Sequence, residues 1–151
     1  MALDAATLEL TARELKTVLA DAKIAKLFEP TRDELVITLR TRTDTYALLL
    51  SARSGSARVC LTEETFENPE TPPSFCMLMR KHLSGGRLME ISQLNGDRVL
   101  LLRFEAQDEL GVMHPYEMYL EAMGRHSNLT LVRDGRIICL LYTSPSPRDV
   151  E

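Results

Sequence analysis

Positive charge is not in excess in this chain of 151 residues, where 18 Lys and Arg face 22 Asp and Glu for a net charge of −4. A surface that binds polyanions everywhere is thereby excluded, and any contact with nucleic acid has to come from a local patch. Cysteine is scarce too: Cys60, Cys76 and Cys139 are 3 in number and show no Cys-x-x-Cys spacing. That disfavours both a disulfide framework and a zinc site, and reduced thiols are expected. No apolar run approaches membrane-spanning length, and Met1-Ala2-Leu3-Asp4 lacks the basic and apolar regions of a secretory signal, so a cytoplasmic protein with no membrane partner is expected. There is no internal repeat and no Gly-rich phosphate loop. His82, His114 and His126 belong to no Ser-His-Asp or Cys-His pattern, and no His/Glu cluster has metal-ligand spacing. The expectation is a protein that is not an enzyme, with no catalytic residue, metal or cofactor.

What is present suits one soluble domain: 44% hydrophobic and 26% charged residues are enough for a core. Leu8, Ala12, Leu15, Leu19 and Ala22 recur at helical spacing, with Thr7 or Asp4 as N-cap. Pro30 and Thr31-Arg32-Asp33 read as the turn of a hairpin between Ile24–Phe28 and Glu34–Leu39. Thr45–Leu50 and Arg58–Leu61 read as further strands around the loop Ser51–Ala57. Leu88–Gln93 and Val99–Phe104 flank Asn95-Gly96, a strong signal for a tight hairpin that puts Asp97-Arg98 at its rim. Alternation from Met118 breaks at Gly124-Arg125-His126-Ser127-Asn128, before Leu129–Val132 and a hairpin through Asp134-Gly135 to Arg136–Ile138. The expected fold class is α+β: antiparallel hairpins or a β-sandwich, with an N-terminal helix and a short internal one.

The internal helix is expected between Pro72-Pro73 and Gly85-Gly86, about two turns long, with Ser74 as N-cap and Gly85 in the left-handed region. Its pattern gathers Phe75, Cys76, Leu78, Met79 and Leu83 on one arc and sets Arg80 and Lys81 opposite. His82 falls inside the apolar arc, where a buried imidazole satisfied by a backbone carbonyl is the expectation. Cys139 to Asp149 turns into a Ser/Pro string that completes no element. Residues 139–151 are therefore expected to be a non-native tail, a translated sequencing adaptor, with a genuine disordered tail as the plainer alternative, and residues 1–138 an incomplete domain.

Pro72-Pro73-x-Phe75-Cys76-Met77-Leu78-x-Arg80-Lys81-His82-Leu83-x-Gly85-Gly86, then Asp97-Arg98, then Met123-Gly124-Arg125-His126-Ser127-Asn128, resembles the N-terminal domain of the NFACT family. These are the RqcH/NEMF-like ribosome quality control factors, formerly labelled fibronectin-binding protein A. The resemblance runs from about Met1 to Ile138. It implies a factor that binds large ribosomal subunits obstructed by peptidyl-tRNA and recruits tRNA, alanine tRNA in bacteria, for untemplated C-terminal tailing that marks the stalled product for degradation. It also implies a likeness in fold to the N-terminal domain of formamidopyrimidine-type DNA glycosylases. The proline amine and glutamate of those enzymes are absent here, where Ala2 and Leu3 stand.

Residues alone favour a plain role for Asp97-Arg98, stabilising the hairpin end. The resemblance ties the pair to tRNA engagement and tailing, with the Arg98 fork on phosphate or base and Asp97 orienting it or accepting from a nucleotide. Arg125, His126, Ser127 and Asn128 form either a polar turn or a loop against an RNA backbone, which Arg53 and Arg58 would extend. Arg80 and Lys81 are secondary RNA candidates, their plainer role being solubility. A surface adhesin that binds fibronectin is the alternative function.

Overall fold

The structure is a computed structural model that describes residues 5–53, 57–63, 66–67, 70–94, 98–121 and 127–141. The chain opens with α1, Ala5–Leu19. Leu8, Ala12, Leu15 and Leu19 follow one another by a helical turn, so one stripe of α1 is buried. Thr7, expected as N-cap, lies inside the helix, and Asp4 is outside the described residues. Asp21, at φ 65°, turns the chain into the first strand.

Among the described residues nine strands follow: β1 Lys23–Thr31, β2 Glu34–Arg40, β3 Thr45–Ser51, β4 Arg58–Thr62, then, after helix α2 Ser74–Leu83, β5 Arg87–Gln93, β6 Val99–Gln107, β7 Met113–Glu121, β8 Asn128–Arg133 and β9 Arg136–Leu140. Every neighbouring pair is antiparallel, in the order β4-β3-β2-β1-β5-β6-β7-β8-β9. The expected antiparallel hairpins therefore form one continuous ladder, whose two halves meet at a narrow seam between β1 and β5. The seam holds the pair Lys23↔Arg87 and the flanking bonds Ile24 N–H to Gly86 O (2.7 Å) and Leu88 N–H to Ala22 O (2.9 Å). A Cβ on Gly86 would come within 2.6 Å of the Glu105 carbonyl, so the tight approach at this corner depends on a residue without a side chain.

One core serves both halves. Leu35, Ile37 and Leu39 of β2 and Leu48 and Leu50 of β3 belong to the same buried cluster as Leu100, Leu102 and Phe104 of β6 and Leu129 and Leu131 of β8. Helix α1 packs on β4, β5 and β6, while α2 bridges the halves by touching β1, β6 and β9. Phe75, Cys76, Met79 and Leu83 are its buried face, as the pattern predicts, and Gly85 is left-handed at φ 78°. The helix is longer than expected, 10 residues, and starts one residue earlier relative to its cap. Pro73 holds the N-cap position without a side-chain bond, and Ser74 is the first helical residue.

Several strand limits differ from expectation, and β6 runs on from Phe104 to Gln107. β1 continues through Pro30 to Thr31, because a register shift between Phe28 and Thr31 takes the proline, which has no N–H to give, out of the ladder. β7 starts at Met113, and its Pro115 lies where only β6 is a neighbour, beyond the reach of β8. β9 runs on through Cys139 and Leu140, which pair with Leu131 and Thr130. Among the described residues no helix is long and apolar enough to cross a membrane, and Cys60, Cys76 and Cys139 are free thiols.

Candidate nucleic-acid interface

Of the residues at the hairpin rims, Asp97, Arg125 and His126 lie outside the described residues. Arg98 is exposed immediately before β6, where Leu94 N–H closes on Val99 O at 3.0 Å. Val99 pairs with Glu121 and Glu121 with Asn128, so Arg98, Ser127 and Asn128 share one end of the sheet. They are not equivalent there. Ser127 is only 1% exposed, and Asn128 accepts the Leu129 N–H on its own Oδ1 at 2.8 Å. Those two frame the loop, whereas Arg98 reaches solvent and forms no ion pair with a described residue.

Arg53 and Arg58 belong to the other half of the sheet. Arg53 faces Asp33 at 3.9 Å and Glu34 at 3.8 Å, so two carboxylates already offset its charge. Arg58 opens β4 opposite Ser51 and is exposed. No hydrogen bond or ion pair joins either residue to Arg98 or Asn128 among the described residues.

On α2 the two neighbouring cations diverge. The Arg80 guanidinium turns back to donate Nε–H to the Leu27 carbonyl at 2.7 Å. Beside it Glu29, 4% exposed, accepts the Cys76 backbone N–H, so a carboxyl from β1 does the capping that Pro73 cannot. Its Oε1 has no hydrogen-bond partner. Burial outweighs that one hydrogen bond and pushes the carboxyl up to about 7. The Cys76 thiol, 3.7 Å from Leu27 O, is likewise raised by burial, with Arg80 opposing the rise.

Lys81 instead lines a cleft of about 340 Å³ with His82, Asp108, Tyr116 and Arg133. The expected carbonyl partner of His82 is replaced by a side chain: its Nδ1 lies 3.1 Å from the Tyr116 hydroxyl, and the rings meet edge-on at 5.6 Å. Arg133 donates to the same hydroxyl at 3.4 Å, with its guanidinium carbon 5.9 Å from the ring centroid. Burial first, then the charges of Arg133 and Lys81, hold the imidazole below its ordinary pKa, so it is neutral at pH 7. Opposite, Asp108 accepts from Leu110 N–H (2.8 Å) and Val112 N–H (3.0 Å) and lies 2.7 Å from His114 Nε2. The His114 contact above all keeps that carboxyl below its usual range. Tyr116 and Arg133 went unnoticed in the sequence because nothing local marks them, each being brought to His82 by the strand order alone. Among the described residues no group of three or more His, Cys, Asp or Glu is placed to hold a metal ion.

This architecture has known counterparts. The sequence model described as NFACT N-terminal and middle domains matches residues 4–146. The chain is 35% identical over 136 residues to the Rqc2 homolog RqcH of Bacillus subtilis (strain 168), covering 88% of this chain and 24% of that protein. It is 40% identical over 119 residues to the Rqc2 homolog RqcH of Streptococcus suis (strain 05ZYH33), covering 79% and 22%. Its fold is similar to the crystal structure of the N-terminal domain of fibronectin-binding protein PavA from Streptococcus pneumoniae, with a TM-score of 0.89 and 33% identity over 92% of this chain and 53% of that one. The chain thus spans about a quarter of the length of the curated relatives it matches. The stretches around α2, Asp97-Arg98 and Met123–Asn128 all fall within the matched span, and the chain belongs to the NFACT family.

Proposed function

We propose that the chain is an RNA-dependent binding module of ribosome quality control with no catalysis of its own. In the cytoplasm it engages large ribosomal subunits obstructed by peptidyl-tRNA. It helps recruit tRNA, alanine tRNA in bacteria, for the untemplated tailing that marks stalled chains for degradation. One observation carries the reading: Arg98 stands exposed at a sheet end without an acidic partner among the described residues, next to Asp97 and inside the span 4–146 that the family model matches. A guanidinium so placed suits a phosphate or base edge. The experiment is co-sedimentation with obstructed large subunits, together with tRNA binding, for the chain and for Asp97→Ala with Arg98→Ala. Loss of both interactions is expected, and full retention of both overturns the site assignment.

A second reading rests on the name of the solved PavA domain, fibronectin-binding protein. Saturable binding of fibronectin, with no affinity for tRNA, would favour it. The proposed likeness in fold to glycosylase N-terminal domains supplies a third arm: affinity for duplex DNA above that for tRNA at matched salt turns the reading toward DNA.

A further inference from the structure

Away from Arg98, the seam between β1 and β5 gathers cations in a row. Lys23 pairs directly with Arg40 of β2 on one side and with Arg87 of β5 on the other. The next pair inward, Ile24↔Leu39, is buried in the core, and so is Leu88, so the three basic side chains all stand on the outer face. Arg42, in the turn after β2, joins Lys23, Arg40 and Arg87 in lining a cleft of about 440 Å³. Its one carboxylate, Asp21, is engaged by Arg87, whose Nη1 lies 3.7 Å from Asp21 Oδ1 and donates to Asp21 O at 3.1 Å. Among the described residues, Lys23, Arg40 and Arg42 have no ion-pair partner.

Like charges directly opposite on neighbouring strands repel, and this chain carries a net charge of −4, so four cations around one carboxylate stand out against the rest of the molecule. Strands about 4.8 Å apart spread Arg40, Lys23 and Arg87 over about 10 Å. The donors are long, exposed side chains, with no helix N-terminus aimed at the cleft. That arrangement suits a run of phosphates on a chain better than one small phosphate ligand held in a cradle of backbone amides. Toward the C-terminal end of α2 a neighbouring cleft shares Lys23 and Arg87 but is bordered by Glu105 and Asp108. The anionic track therefore lies on the Arg40 and Arg42 side.

We propose that the Arg40–Lys23–Arg87 row, with Arg42, is a second RNA contact that grips the phosphodiester backbone without reading sequence. The proposal rests on the RNA-binding reading above and adds a surface to it. The test titrates the full chain with tRNA and, separately, with large-subunit ribosomal RNA across a salt series. It compares the parent, Lys23→Gln/Arg40→Gln/Arg42→Gln, the charge-keeping Lys23→Arg/Arg40→Lys/Arg42→Lys, and Arg98→Ala. The neutralised variant is expected to bind at least about tenfold more weakly at 0.1 M salt. Its salt slope is expected to be shallower by about 2, from about 0.7–0.9 for each lost phosphate contact. The charge-keeping variant should hold the parent slope, and the arm that responds names the RNA. An unchanged slope and affinity in both arms for the neutralised variant overturns this second contact while leaving Arg98 to be judged on its own. Absence of RNA binding by the parent overturns both.

Discussion

At the foot of α2 the polar groups answer to one another, while in the cleft at the β1–β5 seam three of four cations have no acidic partner among the described residues. Arg80 is tied to the Leu27 carbonyl, Glu29 caps the helix, and His82 and Arg133 converge on one tyrosine hydroxyl. Lys23, Arg40 and Arg42 line an open cleft instead. The same residue types thus serve two purposes. Where a cation completes an internal hydrogen bond it supports the fold, and where it lacks a partner the fold gains little from it.

The comparison breaks most severely if α2 loses its anchor. Met79 is fully buried, and Met79→Ala is expected to cost about 2–5 kcal/mol in urea unfolding, because the site leaves a cavity. Glu29 gives the next largest effect, and its sign is unusual for a carboxyl. With its native pKa raised from 4.5 to about 7, the folded state holds the proton more tightly than the unfolded chain. Its contribution is therefore full below the ordinary carboxylate pKa and is lost as pH rises through 7, about 3 kcal/mol in all. Denaturation midpoints measured from pH 4.5 to 8 should fall with a component that Glu29→Gln removes. A parallel fall in both proteins would assign the slope elsewhere.

Tyr116→Phe removes the hydroxyl that His82 and Arg133 share, and about 1 kcal/mol of stability should go with it. On the other side of the comparison, Arg98→Ala and the neutralised seam should each leave the thermal midpoint nearly unmoved, within about 0.5 kcal/mol per residue, while RNA affinity falls. A seam variant that loses stability as Tyr116→Phe does would erase the distinction between the two regions.

Much of the fold was legible because burial here follows period. The stripe of α1 and the face of α2 are local patterns that the structure reproduces; in β2 Leu35, Ile37 and Leu39 join the core as expected, but Glu34 and Val36 between and beside them are buried as well. Pro30 and Pro115 were hard to read because each sits in a strand whose tolerance for it depends on a neighbour. The bulge in β1 excuses one, and the short reach of β8 excuses the other. The site was less legible than the fold. Arg53 carries no sequence sign that Asp33 and Glu34 close on it, and Arg80 none that it points at a carbonyl of β1. Nor does the sequence announce the Arg40–Lys23–Arg87 row. Its members are separated along the chain, and only the pairing of β1 with both β2 and β5 brings them into line.

The order of the ladder has one more consequence, for how the molecule behaves in company. Among the described residues the sheet runs from β4 to β9 with two outer strands, each of five residues, whose outward backbone groups have no described strand beside them. Leu61 and Ile137 are exposed on them, while Arg58 and Arg136 place a charge where each strand begins. Short length and a leading arginine are the means by which such margins discourage stacking.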